Sequence, residues 1–600
     1  MDSNSMNQSH YLSNIEDLKF NLFYLFDVER ASKKTPNCDM DKNTIYEVLT
    51  AINELSQNVL ADSFSDHNTE KPSLDKSTGN VKLDSKIVDG FKAYIDAGWN
   101  NLGIKEELGG QPIPQQLYWA VNELLVGANP SLFLYLTMMN FSNLLYQEGN
   151  EQQKVLAKLM HENKWCATMM LTESDAGSDV GAGRTKAILK DDDTYSLKGS
   201  KRFITSGDHN LSENIIHFVL ARPGGGKPGT KGLSLFIVPK FLVNTDGTLG
   251  KRNGVVVSGL ENKLGISNSA TCEVQLGEKE ECIGYLLGDK HDGIAQMFKI
   301  IENARMMVGV KAISTLSTAS LQATKYAKER IQGFKISDVN RVNGNVPIIE
   351  HLAVKHDVAY INAISEGLRS LVILTAWAQD KIIAGDEEVN FEKLNDFLLP
   401  VVKGYGSEKA YNLIGNQALS IFGGSGYTAD WPLEQYLRDA KIDTLYEGTT
   451  NIQANDLFFR KILKDQGAGL YALLDLIEKR ESYSGEGKKF KLVLNRITEL
   501  YGSAIMKMIE LAISPEKENL DFLSLISKDL LTYTGDIILY WLALESYEVA
   551  IEHNLDSNLI ERKHLNLQVL DFVTGNNLIN NLDNFTRETE YISTLKTFKY

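Results

Sequence analysis

At 600 residues with 43% hydrophobic content, the chain exceeds what a single hydrophobic core organises, so two to four domains are expected. A net charge of −16, with acidic residues spread along the chain, repels a long phosphate backbone and argues against nucleic acid as the principal partner. Four scattered cysteines (Cys38, Cys166, Cys272, Cys282) form no Cys-x-x-Cys pair, which argues against a disulfide framework and against a metal site.

The segment Met1 to His10 is polar and carries no cationic apolar leader, and no run of eighteen apolar residues occurs. The expectation is a cytoplasmic protein without stable membrane insertion. From Tyr11 to Leu60 apolar residues such as Ile15, Leu18, Leu22 and Phe23 recur at helical spacing, and the polar stretch Asp62 to Gly79 interrupts them. Helical periodicity resumes over Leu83 to Trp99 and, after a turn-rich segment, over Gln115 to Leu159, so the first 160 residues are expected to be all-helical.

Near Trp165 the pattern changes to short segments rich in β-branched and aromatic residues. Strands are expected at Tyr195 to Leu197, Ile215 to Ala221, Leu233 to Val238, Gly254 to Val257 and Cys272 to Leu276. Amphipathic helical patterns return from Gly293 to about Lys464, and a further helical set without chemical motifs runs from Leu470 to Leu582. The expected organisation is an N-terminal helical domain (1–164), a central β domain (165–288), a C-terminal helical bundle (289–464) and an additional helical domain (465–600), an α+β chain. Such an order of blocks names no reaction by itself.

Six strings carry more. Met169-Met170-Leu171-Thr172-Glu173-Ser174-Asp175-Ala176-Gly177-Ser178-Asp179 resembles the signature that opens the β domain of acyl-CoA dehydrogenases. Lys201-Arg202-Phe203-Ile204-Thr205-Ser206-Gly207 resembles that family's strand beside the flavin ring, and Lys328-Glu329-Arg330-Ile331-Gln332-Gly333 its helix start that reaches a neighbouring subunit's FAD. Ile421-Phe422-Gly423-Gly424-Ser425-Gly426-Tyr427, followed by Leu437-Arg438-Asp439 and Leu445-Tyr446-Glu447-Gly448-Thr449-Thr450-Asn451-Ile452-Gln453, resembles its C-terminal block. Several long strings in one order are hard to produce by chance. The opening Ser9 to Val28 and the tail after Gly467 resemble the larger subgroup acting on long-chain acyl-CoA or 3-methylthiopropanoyl-CoA.

The resemblance implies the acyl-CoA dehydrogenase fold, with a β-barrel-like central domain and a four-helix bundle, and removal of hydrogen from adjacent carbons of an acyl-CoA. Protein side chains cannot accept hydride, so a redox cofactor is needed, and the family's is FAD. Glu447 occupies the position of the family's base, and Gly448 beside it allows close backbone approach. The competing role for Glu447 is a carboxylate at a helix start, held by the helix dipole. Met169, Leu171, Thr172, Gly177, Ser178, Phe203 and Thr205 are expected at the flavin by the same resemblance, with Arg330, Gly423 and Gly424 at its pyrophosphate and Thr449 and Asn451 further along. A guanidinium at Arg330 suits a pyrophosphate. Ser178, Tyr446, Gly448 and Arg305 are expected near the substrate, Arg305 at the CoA nucleotide, although a salt bridge explains Arg305 as well. The stripe Leu132, Phe133, Leu134, Leu136, Met138 and Met139 could line an acyl pocket or simply be core.

Electron-transferring flavoprotein is the electron acceptor the family implies, and a homodimer or multiple of one the assembly. An acyl-CoA oxidase, a 3-methylthiopropanoyl-CoA dehydrogenase and a flavin-binding relative without dehydrogenase activity stay open at this point.

Overall fold

In the computed structural model the described residues are 9–584; most of the polar segment Met1 to His10, and the end of the 465–600 region, lie outside them. The N-terminal helices begin where the sequence supplies a cap. Asp41 accepts the Thr44 amide at 2.8 Å to open Lys42–Asn58, and Asn150 with Gln153 forms a reciprocal capping box at the start of Glu151–Glu162. Gln115–Ala128 has only Pro114 ahead of it, and its first amides are bonded instead by the distant Asp380 carboxylate, at 2.6 and 3.0 Å. That helix is buried along nearly its whole length against Gly293–Glu329.

The first 160 residues are not all-helical. The polar interruption holds a short antiparallel hairpin, β1 (Ser73–Asp75) with β2 (Asn80–Lys82), in which Gly79 turns the chain at φ 71°. Its strands alternate around one buried residue, Val81, too short a pattern to stand out from a loop.

The central region forms an eight-stranded sheet: β3 (Cys166–Met170), β4 (Lys186–Leu189), β5 (Tyr195–Thr205), β6 (Ile215–Ala221), β7 (Ser234–Pro239), β10 (Val255–Leu260), β11 (Thr271–Leu276) and β12 (Cys282–Leu287). The order is β10-β11-β5-β12-β7-β6-β3, with β4 on β5, and β8 (Phe241–Val243) pairs separately with β9 (Leu249–Arg252). β12 is shared, its first half on β5 and its second half on β7, which joins the two halves of the sheet. Every pair is antiparallel except β3 with β6.

The helical bundle is built on Gly293–Glu329 and Leu352–Ile383, packed against each other and against Gly406–Leu413. Pro400 ends the helix Phe391–Pro400 and a π-helical turn, Val401–Tyr405, follows. A proline removes a helical donor and such insertions rotate the register locally. Arg438 ties the bundle to the sheet side through Asp66 at 2.8 Å and the Leu264 carbonyl, while Asp439 accepts the Ile266 amide.

The additional helices Ala468–Glu478, Gly487–Ile513, Glu518–Glu552 and Ser557–Leu570 lie on the bundle. Glu518–Glu552 packs on Leu352–Ile383, on Thr450–Asn455 and on the π turn, where Tyr405 seats over Gly535 and donates to Asp536 at 2.6 Å. A fully buried ionic cluster binds the two ends of the chain. Arg369 donates to Glu123, Asp17 and Ser317, and Lys563 donates to Asp17 and to Glu366, the latter at 2.8 Å. The six residues of the Leu132 to Met139 stripe are all buried.

Candidate active site

Glu447 sits in a turn of two consecutive left-handed residues, itself at φ 53° and Gly448 at φ 87°. Glycine takes that conformation freely, whereas a residue with a Cβ gives up about 1–2 kcal/mol, so Glu447 must be held there. Two side chains hold it. Gln453 Nε2 donates to the Glu447 carbonyl at 2.9 Å, and Lys403 Nζ donates to the Gly448 carbonyl. A Cβ on Gly448 would lie 2.7 Å from Gln453 Nε2. The following helix, Thr450–Asn455, is capped by Thr449, whose hydroxyl accepts the Ile452 amide at 3.4 Å, so Glu447 precedes the cap by two residues.

The turn is electrostatically asymmetric. Glu447 is half-buried, and desolvation raises its pKa above the ordinary carboxylate value, opposed by the nearby cations Lys403 and Arg305. Lys403 is fully buried, and burial lowers its pKa to about 8 against the attraction of Asp443 and Glu447. Arg305 is buried in an ion pair with Asp456 at 2.7 Å, the salt bridge its position also suggested, and its charge is felt at Glu447. Asp443 receives Lys311 at 2.8 Å on both oxygens, and burial followed by Asp443 holds the Tyr446 phenol well above its usual pKa.

A second group forms where β3 ends beside β5. The Arg202 amide donates to the Thr172 carbonyl at 2.9 Å, and Lys201 Nζ, fully buried, donates to the Leu171 carbonyl at 3.0 Å and to Glu173 at 2.8 Å. These bonds tie Leu171 and Thr172 to the strand that carries Phe203. The β5–β11 register shifts across Cys272 and Val274, and opposite that bulge Phe203 takes φ 58° and stays 55% exposed, with the Arg202 guanidinium 4.8 Å from its ring centre. Met169 and Thr205 are half-buried on the two strands, and Gly177 and Ser178 are exposed on the loop after β3.

Arg330 and the glycine turn share one end of the bundle. The Lys328 to Gly333 string ends a helix rather than starting one: Arg330 closes Gly293–Glu329 four residues after Tyr326, whose ring stacks on Phe422 at 4.2 Å, immediately before Gly423. Gly423 takes φ 59° with ψ −139°, and neither Gly423 nor Gly424 would bring a Cβ within 4 Å of another group, so their backbone is open to an incoming molecule. Asn451 is exposed on the first turn of its helix. Among the described residues Arg330 has no ion pair, and no hydrogen bond or ion pair joins this bundle end to the Phe203 group.

Residues 168–278 match the family description "Acyl-CoA dehydrogenase, middle domain" and residues 291–460 "Acyl-CoA dehydrogenase, C-terminal domain". Over 556 residues the chain is 43% identical to the broad-specificity linear acyl-CoA dehydrogenase FadE5 of Mycobacterium tuberculosis, with 90% of this chain and 91% of that protein covered. The chain belongs to the acyl-CoA dehydrogenase family. It is also 36% identical over 414 residues to 3-methylmercaptopropionyl-CoA dehydrogenase of Ruegeria pomeroyi, covering 68% and 69% of the two chains. In fold it is similar to Caenorhabditis elegans ACDH-11 in complex with C11-CoA, at TM-score 0.70 and 18% identity over 98% of each chain. It is likewise similar to an acyl-CoA dehydrogenase complexed with FAD from Bacillus anthracis, at TM-score 0.71 and 20% identity over 92% and 90%.

As an acyl-CoA dehydrogenase the protein is an FAD-dependent enzyme. Its residues fit that cofactor: an exposed ring held out on a strained bulge suits a flavin face, and an unpaired guanidinium beside an open glycine turn suits a pyrophosphate. Several residues around Glu447 escape a sequence reading. Lys403 had one available signal, a lone cation in the apolar run Phe397 to Tyr405. Gln453 was within the quoted motif without a role, and Asp443 and Asp456 gave no local sign of their partners.

Proposed function

We propose that this acyl-CoA dehydrogenase oxidises the Cα–Cβ bond of an acyl-CoA thioester to the trans-2-enoyl-CoA, with Glu447 as the base. The observation that carries the reading is the Glu447 turn: a half-buried carboxylate with a raised pKa, fixed by bonds to its own carbonyl and its neighbour's. A base whose basicity rises on burial is suited to a weakly acidic thioester α-proton. Glu447 takes that proton. Its amide is the chain's own donor proposed for the thioester oxygen, and a preorganised donor of that kind is worth about 3 kcal/mol.

FAD would be held by Met169, Leu171, Thr172, Gly177, Ser178, Phe203 and Thr205 of one subunit, and by Arg330, Gly423, Gly424, Thr449 and Asn451. When bound it supplies the acceptor for the β-hydride. The resemblance of Lys328 to Gly333 to the family's element that reaches a neighbouring subunit's FAD supports completion of the site between subunits of a homodimer or a multiple of one. Ser178, Tyr446 and Gly448 are assigned to the substrate; Arg305, expected at the CoA nucleotide, is assigned instead to the thioester end, because it is buried against Asp456 and its charge reaches Glu447.

Electron-transferring flavoprotein is proposed as the electron acceptor, with the reaction serving fatty acid β-oxidation in the cytoplasm. Among the described residues no helix is long and apolar enough to cross a membrane. Acyl-CoAs from short to long chain, with 3-methylthiopropanoyl-CoA, should be mixed anaerobically with the flavoprotein. Bleaching of the flavin by at least one of them is expected, with slow reoxidation in air; no bleaching by any would refute the reaction, and rapid reoxidation would favour an oxidase.

A further inference from the structure

The π turn Val401–Tyr405 carries a lysine that the reaction as written does not use. Lys403 is fully buried, and its ammonium donates to the Gly448 carbonyl, the second acceptor of the left-handed pair. The approach that makes this contact possible is built into the packing. Gly404 leaves room for the helix Thr450–Asn455, since a Cβ there would lie 2.9 Å from Gln453 Cβ, and Gly309 admits Val402, whose Cγ1 would lie 2.2 Å from a Cβ at that position. Gly404 therefore lets the Lys403 segment close on the helix that follows the Glu447 turn, while Gly309 lets it close on Gly293–Glu329.

A buried ammonium is expensive to desolvate unless charges around it compensate. The groups facing Lys403 come from four directions: Asp443 before the turn, Glu447 on it, Glu408 on Gly406–Leu413, and the opposing cation Arg305 on Gly293–Glu329. Asp443 is already bonded to Lys311 at 2.8 Å and faces the Tyr446 phenol, so it is shared rather than dedicated. Glu447 in turn is faced by Lys403 and Arg305, with Arg305 bound to Asp456 at 2.7 Å.

We propose that Lys403 is a positioning residue for the reaction: its ammonium clamps the Gly448 carbonyl to keep the Glu447–Gly448 turn left-handed, which holds its positive charge beside the base. The clamp acts on the backbone and the charge acts on the carboxylate. Removing the charge raises the Glu447 pKa, so the pH below which the base is protonated moves upward. An opposite charge at close range shifts a carboxylate by about one to three pH units, and with Arg305 still present the low end applies. This role rests on the assignment of Glu447 as the base, while the clamp can be read without turnover.

The test uses the FAD-loaded full chain and its K403M and K403R variants. The limiting rate of anaerobic flavin reduction by an acyl-CoA that bleaches the wild type is measured against pH, and hydrogen exchange of the amides of residues 446–453 is measured in the same proteins without substrate. In K403M the acid limb is expected about one pH unit higher, the plateau rate about tenfold lower with acyl-CoA affinity within about threefold, and the exchange faster. K403R keeps charge and donors, and its acid limb is expected at the wild-type pH. An acid limb in K403M at the wild-type pH, or exchange at the wild-type rate, overturns the proposal. If K403M is not recovered folded, K403R decides: a limb displaced by more than about half a pH unit overturns it, and an undisplaced limb upholds it. A wild type whose flavin no acyl-CoA reduces would instead defeat the proposed reaction, and the exchange measurement would still report on the clamp.

Discussion

Gln453, fully buried on the helix after the Glu447–Gly448 turn, donates through Nε2 to the backbone carbonyl of Glu447 at 2.9 Å. The residue that closes the turn is six positions from the proposed base it holds. Leaving that carbonyl without a donor costs about 1–3 kcal/mol, and the loss falls on the left-handed form of Glu447. Gln453→Leu is expected to slow the limiting rate of flavin reduction about tenfold or more while acyl-CoA binding stays within about threefold. Stopped-flow bleaching of the variant at the wild-type rate would show that the turn holds without it.

Arg330 stands unpaired among the described residues at the bundle end that carries Gly423. With no internal ion pair to lose, Arg330→Ala should leave the fold intact and weaken FAD retention. The measurement is the ratio of flavin to protein after gel filtration, beside a circular dichroism spectrum. Full flavin occupancy in the variant would contradict the pyrophosphate assignment.

Lys563 joins the additional helices to the N-terminal helix through Asp17 and to the bundle through Glu366. Both carboxylates are buried, and truncating one partner of such a cluster strands a charge at a cost of about 3–5 kcal/mol. Lys563→Met is therefore expected to lower the midpoint of denaturant unfolding substantially. An unchanged midpoint would mean that the cluster contributes little. Lys563 and Arg369 also hold Asp17 well below the usual carboxylate range, so this contribution is present above the unfolded value near pH 4 and fades as pH falls below it.

His217 is buried beside Thr168, 2.8 Å from its hydroxyl, and burial lowers its pKa to about 3. The unfolded chain binds the proton first on acidification, so native stability from this group falls between pH 6.5 and about 3 by about 1.4 kcal/mol per pH unit. Asp380 and Asp439, raised by burial to about 7 and about 6, act in the opposite direction over part of that range. The effect should thus be read as a difference: wild type should lose stability relative to His217→Gln as pH drops from 6.5 to 4.5. A pH-independent difference would rule out the buried neutral histidine as its source.

The sequence made some of this legible and not the rest, for physical reasons. Glu447, Gly448 and the Thr449 cap are covalent neighbours, so one string carried them together. β6, buried on both faces, is legible from its run of β-branched and apolar residues, Ile215–Ala221, which only His217 interrupts. β3 (Cys166–Met170) is almost as buried, yet Cys-Ala-Thr-Met-Met has little β propensity and went unread as a strand. Lys403 reaches Gly448 across 45 positions and Lys563 reaches Asp17 across 546, and such pairings depend on how helices pack rather than on local pattern.

The account turns on Glu447 as the base, and Glu447→Gln keeps the shape of the side chain while abolishing its basicity. The decisive measurement is the limiting rate of anaerobic flavin reduction by a saturated acyl-CoA in Glu447→Gln, beside the spectral shift produced by an enoyl-CoA. The account predicts that the shift persists, because FAD and ligand still bind, and that the rate falls by about 10² to 10⁴-fold. Reduction at near the wild-type rate would contradict it and place the base elsewhere.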